Sequence, residues 1–124
     1  IRDRSPSRGL GDVYKRQAEQ CRGTFVPAVE ELTELGNLLN KWPDDRGILF
    51  CNEMLAGKKI ELPKKSIRKW AILIGPEGGF SVSEQTKLNN NKLIFPIDLG
   101  PRILRADTAV VAAMSLWQKR FGDW

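Results

Sequence analysis

Residues 70–74 read Trp-Ala-Ile-Leu-Ile, a run with no polar member that stops abruptly at Gly75-Pro76-Glu77-Gly78-Gly79. A strand with one wet face alternates apolar and polar residues. A strand without alternation needs cover on both faces, and helices packed on both sides of a parallel sheet provide it. The run therefore predicts an α/β fold with Trp70–Ile74 as a central strand. Two shorter runs fit the same sheet: Gly47 to Asn52 (GILFCN) and Leu93 to Ile97, with Pro96 near the end of the latter.

The segments between these runs carry helical signals. Leu32, Leu35, Leu38, Leu39 and Trp42 recur at three- and four-residue spacing behind Glu30, Glu31 and Glu34, which predicts an amphipathic helix of roughly 10 residues. Pro43-Asp44-Asp45 breaks it. Ser81-Val82-Ser83-Glu84 is a capping-box pattern that opens a second helix, and Asn89-Asn90-Asn91 stops it. After the loop Asp98–Arg102, a long helix runs from Ile103 or Arg105 to about Phe121. It is apolar at Ala109, Ala112, Ala113, Leu116 and Trp117, and Gly122 is its stop. Strand–helix–strand–helix order completes the case for a parallel sheet flanked by helices. Phe25-Val26-Pro27 reads as a short strand or extended link.

At 124 residues the chain has the length of one domain, and its 41% hydrophobic and 28% charged residues are an ordinary globular mix. No apolar stretch reaches membrane-spanning length, and residues 1–17 lack the apolar core of a secretory signal. The absence of histidine removes His-based triads, HExxH zinc sites and histidine general bases. Cys21 and Cys51 are too few for a disulfide scaffold and lack zinc-site spacing, so no metal is expected; they read as reduced cytoplasmic thiols. The net charge of +5 is unevenly spread. Residues 1–17 hold five basic and two acidic side chains, which leaves +2 for the other 107. Residues 1–17, with neither strand nor helix template, read as a non-native or disordered tail, a natural basic arm that binds RNA being the alternative, and residues 18–124 as the folded part. Lys58, Lys59, Lys64, Lys65, Arg68 and Lys69 against Glu61 alone make a second basic run, suited to RNA phosphates or simply to solvent.

The last two strands each lead into a helix through a loop that contains glycine and proline. Ligands in open parallel sheets bind beyond the carboxyl ends of strands, so ILIGPEGGFS and IDLGPRILRADTA should share one rim. Glycines 75, 78, 79 and 100 admit a ligand close to the backbone, and Pro76 and Pro101 stiffen the loops. A flat, polar, adenine-like group read by backbone atoms suits this geometry; ordinary strand–helix turns are the plain alternative. The loop is neither GxxxxGK[ST] nor GxGxxG, which disfavours a P-loop and a Rossmann site.

AILIGPEGGFSVSE followed by LGPRILRADTA closely resembles the SPOUT-class, trefoil-knot RNA methyltransferases of the RsmE type. AEQC at 18–21, the FVP step at 25–27, Trp117-Gln118 and the ending Gly122-Asp123-Trp124 support the resemblance, which covers 18–124. It implies a C-terminal trefoil knot, S-adenosyl-L-methionine as cofactor, methylation of N3 of a uridine in 16S ribosomal RNA or the small ribosomal subunit, and a homodimer. By motif match, Ile74, Gly75, Glu77, Gly78 and Gly79 would form one wall of the cofactor pocket. Leu99, Gly100, Ile103, Leu104 and Arg105 would form the other. Arg105 and Glu77 are the implied catalytic pair, with Arg105 on the RNA phosphate or base and Glu77 on cofactor or substrate donors; a surface residue or partner of Asp107, and a turn-stabilising carboxylate, are their plain alternatives. Trp117, Leu116 and Ala113 are expected in the core and the dimer contact.

The pattern is departed from at Arg22-Gly23, where the family has Arg after Gly, and at Asp107, where it has Glu. The resemblance also implies that an N-terminal RNA-binding domain and the first strand of the knot domain precede AEQC, so that the chain is a C-terminal portion, weak or inactive alone. Two other readings fit the residues: a non-catalytic RNA-binding module built on the basic run, and a nucleotide-binding enzyme that holds phosphate with GPEGG.

Overall fold

The three apolar runs form three strands in a computed structural model of the chain, which describes residues 16, 20, 23, 25–52 and 67–124. They are β1 (Arg46–Cys51), β2 (Lys69–Ile74) and β3 (Ile94–Ile97), and both neighbours of β1 run parallel to it. The order β2-β1-β3 puts β1 in the middle of this sheet. This corrects the expectation that Trp70–Ile74 would be central. Residues 47–50 are fully buried, whereas β2 starts at exposed Lys69 and is half-buried thereafter. The uniform apolarity of β2 reflects cover on its faces, which does not determine its place in the sheet. Gly47 makes the pairing possible. A Cβ there would lie 2.8 Å from the Trp70 ring, which folds over the β1 backbone.

The chain divides into two units, Ile1–Leu38 and Leu39–Trp124. In the first, residues 25–34 have no regular structure and are exposed, including Phe25-Val26-Pro27. The helix expected over Leu32–Trp42 is shorter: α1 is Leu35–Asn40. Leu32 lies before it, 80% exposed. The Thr33 hydroxyl donates to the Glu31 carbonyl at 3.2 Å, a local bond that competes with helix formation. In the second unit Trp42 lies beyond the helix and its indole donates to the Arg46 carbonyl at 2.9 Å. Of residues 1–17 only Arg16 is described, in helical conformation. The remainder of the expected tail, AEQC apart from Gln20, and most of the basic run 58–69 lie outside the described residues.

Helix α2 (Val82–Asn90) opens with the expected capping box. Ser81 Oγ accepts from the Glu84 amide at 3.2 Å, and the Glu84 carboxylate accepts from the Ser81 amide at 2.9 Å. Helix α3 (Ala106–Phe121) runs between Arg105 and Gly122. Register places Leu49 beside Ile72 and Phe95, and Cys51 beside Ile74 and Ile97, so these side chains share one face. On that face Leu49, Ile97 and the completely buried Ala113 form the core, with Trp117 packed against it. The helical repeat that buries Ala109 and Ala113 leaves Leu116 51% exposed, so Leu116 is not a core residue. Phe50, which points the other way from Leu49, meets the Phe80 ring edge-on at 5.4 Å.

Candidate functional site

β1, β2 and β3 all end at the same rim because the sheet is parallel. The residues beyond them enclose a cavity of about 210 Å³. Ile74 and the turn residues Gly75, Glu77, Gly78 and Gly79 line one side; Leu99, Gly100, Ile103 and Leu104 line the other. The two glycine loops are thus brought together across the end of β1, not across a shared strand pairing. Arg105 alone of the expected set is absent from the lining. It caps α3 with its side chain 83% exposed, and its Nε lies 3.7 Å from Asp107.

Each loop is fixed by its own bonds. The Gly79 amide donates to the Pro76 carbonyl at 2.9 Å, and Gly79 takes φ of 75°, a left-handed conformation that glycine adopts without a Cβ penalty. The Gly100 amide donates to Asp98 Oδ1 at 2.9 Å, and Gly100 takes φ of 109°. A Cβ on Gly78 or Gly100 would meet no atom within 4 Å, so at these two positions bare backbone borders open space. Gly75 is different. A Cβ there would lie 2.7 Å from Phe80 Cε2, so this glycine makes room for a ring instead of a ligand. A polar, planar group can therefore approach the peptide backbone at Gly78 and Gly100, with apolar side chains around it.

Sequence reasoning missed several lining residues. Phe50, Cys51 and Asn52 enter from the end of β1, and Phe80, Gln85, Asp98 and Arg102 from the loops and α2. The carboxyl-end rule would have found the first three had it been applied to GILFCN as well as to the glycine loops. Glu77, Asp98 and Arg102 are the charged side chains of the lining. Burial pushes the Cys51 thiol up to about 12, so it is protonated at neutral pH and is no nucleophile there. Among the described residues no helix is long and apolar enough to cross a membrane.

The sequence profile of the RNA methyltransferase domain matches residues 10–118. A ribosomal RNA small subunit methyltransferase E from Buchnera aphidicola (subsp. Schizaphis graminum) is 54% identical over 105 residues, 85% of this chain and 42% of the relative. The protein of that name from Bacillus subtilis is 32% identical over 112 residues, 83% of this chain and 43% of the relative. The chain thus spans about two-fifths of the length of the curated relatives it matches. Among solved structures, the Neisseria gonorrhoeae ribosomal RNA small subunit methyltransferase E bound to S-adenosyl methionine superposes with a TM-score of 0.71 at 25% identity, over 90% of this chain and 46% of that one. A Legionella pneumophila chain solved with the cofactor SAM shares the fold, with a TM-score of 0.75 at 24% identity, over 95% of this chain and 48% of that one. Profile, relatives and fold agree with the paired glycine loops: the chain belongs to the RNA methyltransferase domain family, RsmE type.

Proposed function

We propose that this chain carries the S-adenosyl-L-methionine pocket of an enzyme that methylates N3 of a uridine in 16S ribosomal RNA. The observation that carries the reading is the cavity between the Gly75–Gly79 and Leu99–Leu104 loops, where Gly78 and Gly100 offer bare backbone. A cofactor with a purine and an amino-acid tail fits a site with backbone donors and acceptors, apolar walls from Ile74 and Leu99, and both charge signs on the lining. When bound, the cofactor supplies a sulfonium-activated methyl group. The residues of the chain position that group and exclude water, which is what an in-line displacement needs from a protein. Glu77 accepts donors from cofactor or substrate. Arg105, exposed at the start of α3, contacts RNA phosphate or base once it leaves Asp107. The complete domain ties the C-terminal trefoil knot and works in the cytoplasm as a homodimer; the exposed Val111, Met114 and Leu116 on α3 support a contact there.

Calorimetric titration with S-adenosylmethionine and with ATP, followed by tritium-methyl transfer to small-subunit RNA, tests the proposal. Heat with S-adenosylmethionine and none with ATP are expected, with label that is weak for this chain alone and that maps to uridine N3. Binding of ATP alone, or label on another base atom, would overturn it.

A further inference from the structure

Gln85 lines the cavity, yet neither the glycine loops nor the resemblance points to it. It stands in the first turns of α2, and its amide nitrogen donates to the Phe80 carbonyl at 3.1 Å. A carbonyl oxygen only accepts, so the NH₂ group must face it, which fixes the orientation of the amide. Phe80 is the residue on which the glycine turn rests. Its ring fills the space beside Gly75 and packs edge-on against Phe50 of the central strand. The same residue is therefore gripped twice: its ring by β1, its carbonyl by α2 through Gln85. Phe80 directly follows the Gly75–Gly79 backbone, which is closed by the bond from Gly79 to Pro76.

We infer that Gln85 is a positioning residue for the cofactor wall, holding Phe80 from α2 and thereby setting the backbone of Gly75–Gly79 against the cavity. The inference rests on the reading of the cavity as the S-adenosylmethionine site. What matters is the donor. An ionised carboxylate at this position has the same length but presents only acceptors to the Phe80 carbonyl, and the two repel. A protonated carboxyl regains one O–H donor.

The test is S-adenosylmethionine affinity from about pH 7.5 down to about 4.5, the range in which a carboxyl beside an acceptor takes up its proton. It is measured for the wild-type chain, Gln85→Glu and Gln85→Met, with a thermal melt at each pH. At pH 7.5 both variants should bind about tenfold more weakly, the scale of one lost hydrogen bond. Affinity of Gln85→Glu should recover towards wild type on acidification, while Gln85→Met stays weak throughout. The charged side chains of the lining, Glu77, Asp98 and Arg102, are the same in all three proteins, so the wild-type and Met profiles are the baseline for Gln85→Glu. A role in stability alone would lower the melts without this acid recovery. Wild-type affinity in both variants, or a weakened Gln85→Glu that acid does not restore, would overturn the inference while leaving the cofactor reading intact. No binding by the wild-type chain would overturn the cofactor reading and this assignment with it.

Discussion

Gly75 and Gly100 border the same cavity and are glycine for different reasons. At Gly100 the space for a Cβ is open and the obstacle is φ of 109°, so Gly100→Ala strains the backbone without a clash. A cost of about 1–2 kcal/mol in urea unfolding is expected, together with weaker S-adenosylmethionine binding as the loop relaxes. An unchanged stability would mean that the loop adopts another conformation. Cys51 offers a second test at this scale. Its thiol titrates at about 12 in the fold against an ordinary value of 9.0. Below pH 9 both states keep the proton and the contribution is whole. Between there and pH 12 the unfolded chain gives up a proton that the folded chain retains, so stability falls as pH rises. Unfolding free energies at rising alkaline pH should therefore drop more steeply for wild type than for Cys51→Ala. Parallel slopes would show that the thiol is less buried than described.

Helix α2 shows how an element is written locally. Ser81 and Glu84 satisfy each other's backbone amides, and these bonds hold the Glu84 carboxyl below its usual range. The cap's carboxylate contribution is present above the ordinary glutamate pKa and lost as pH falls through the lowered value. Ser81→Ala should cost about 1 kcal/mol at neutral pH, read as a shift in the denaturation midpoint. Such a pattern is legible because both partners lie within four residues. The stops at Asn91 and Gly122 and the three strands are legible for the same reason. Strand order is not: nothing in GILFCN says that it lies between the other two, because the pairing depends on Gly47 yielding to a Trp70 ring 23 residues away. α1 fell short because a leucine repeat describes a face that needs a partner, and Leu32 finds none among the described residues of its unit. In the site, the glycine turns were legible from composition. Phe80 and Gln85 were not, since their importance lies in a ring packed on Gly75 and an amide reaching back five residues.

Within the Leu39–Trp124 unit, the cavity and an aromatic stack lie at opposite ends of α3. Ala106 and Ala109, at its start, line the cavity, while Phe121, at its end, stacks on Trp70 at 5.1 Å and leans on Trp117 at 6.4 Å. Trp70 in turn meets Phe95 of β3 at 5.5 Å, so one indole ties β2, β3 and the last helix together. Sixteen residues of helix separate the two ends by about 24 Å. Phe121→Ala removes a half-buried ring and its stacking partner contact, for which a loss of about 2–3 kcal/mol is expected, below the full range for a completely buried aromatic. The cavity loops keep their own bonds, from Gly79 to Pro76 and from Gly100 to Asp98. S-adenosylmethionine affinity measured well below the lowered melting temperature should therefore match wild type. Weakened binding at a temperature where the variant is fully folded would show that the aromatic stack sets the position of α3 at the cavity as well as its stability.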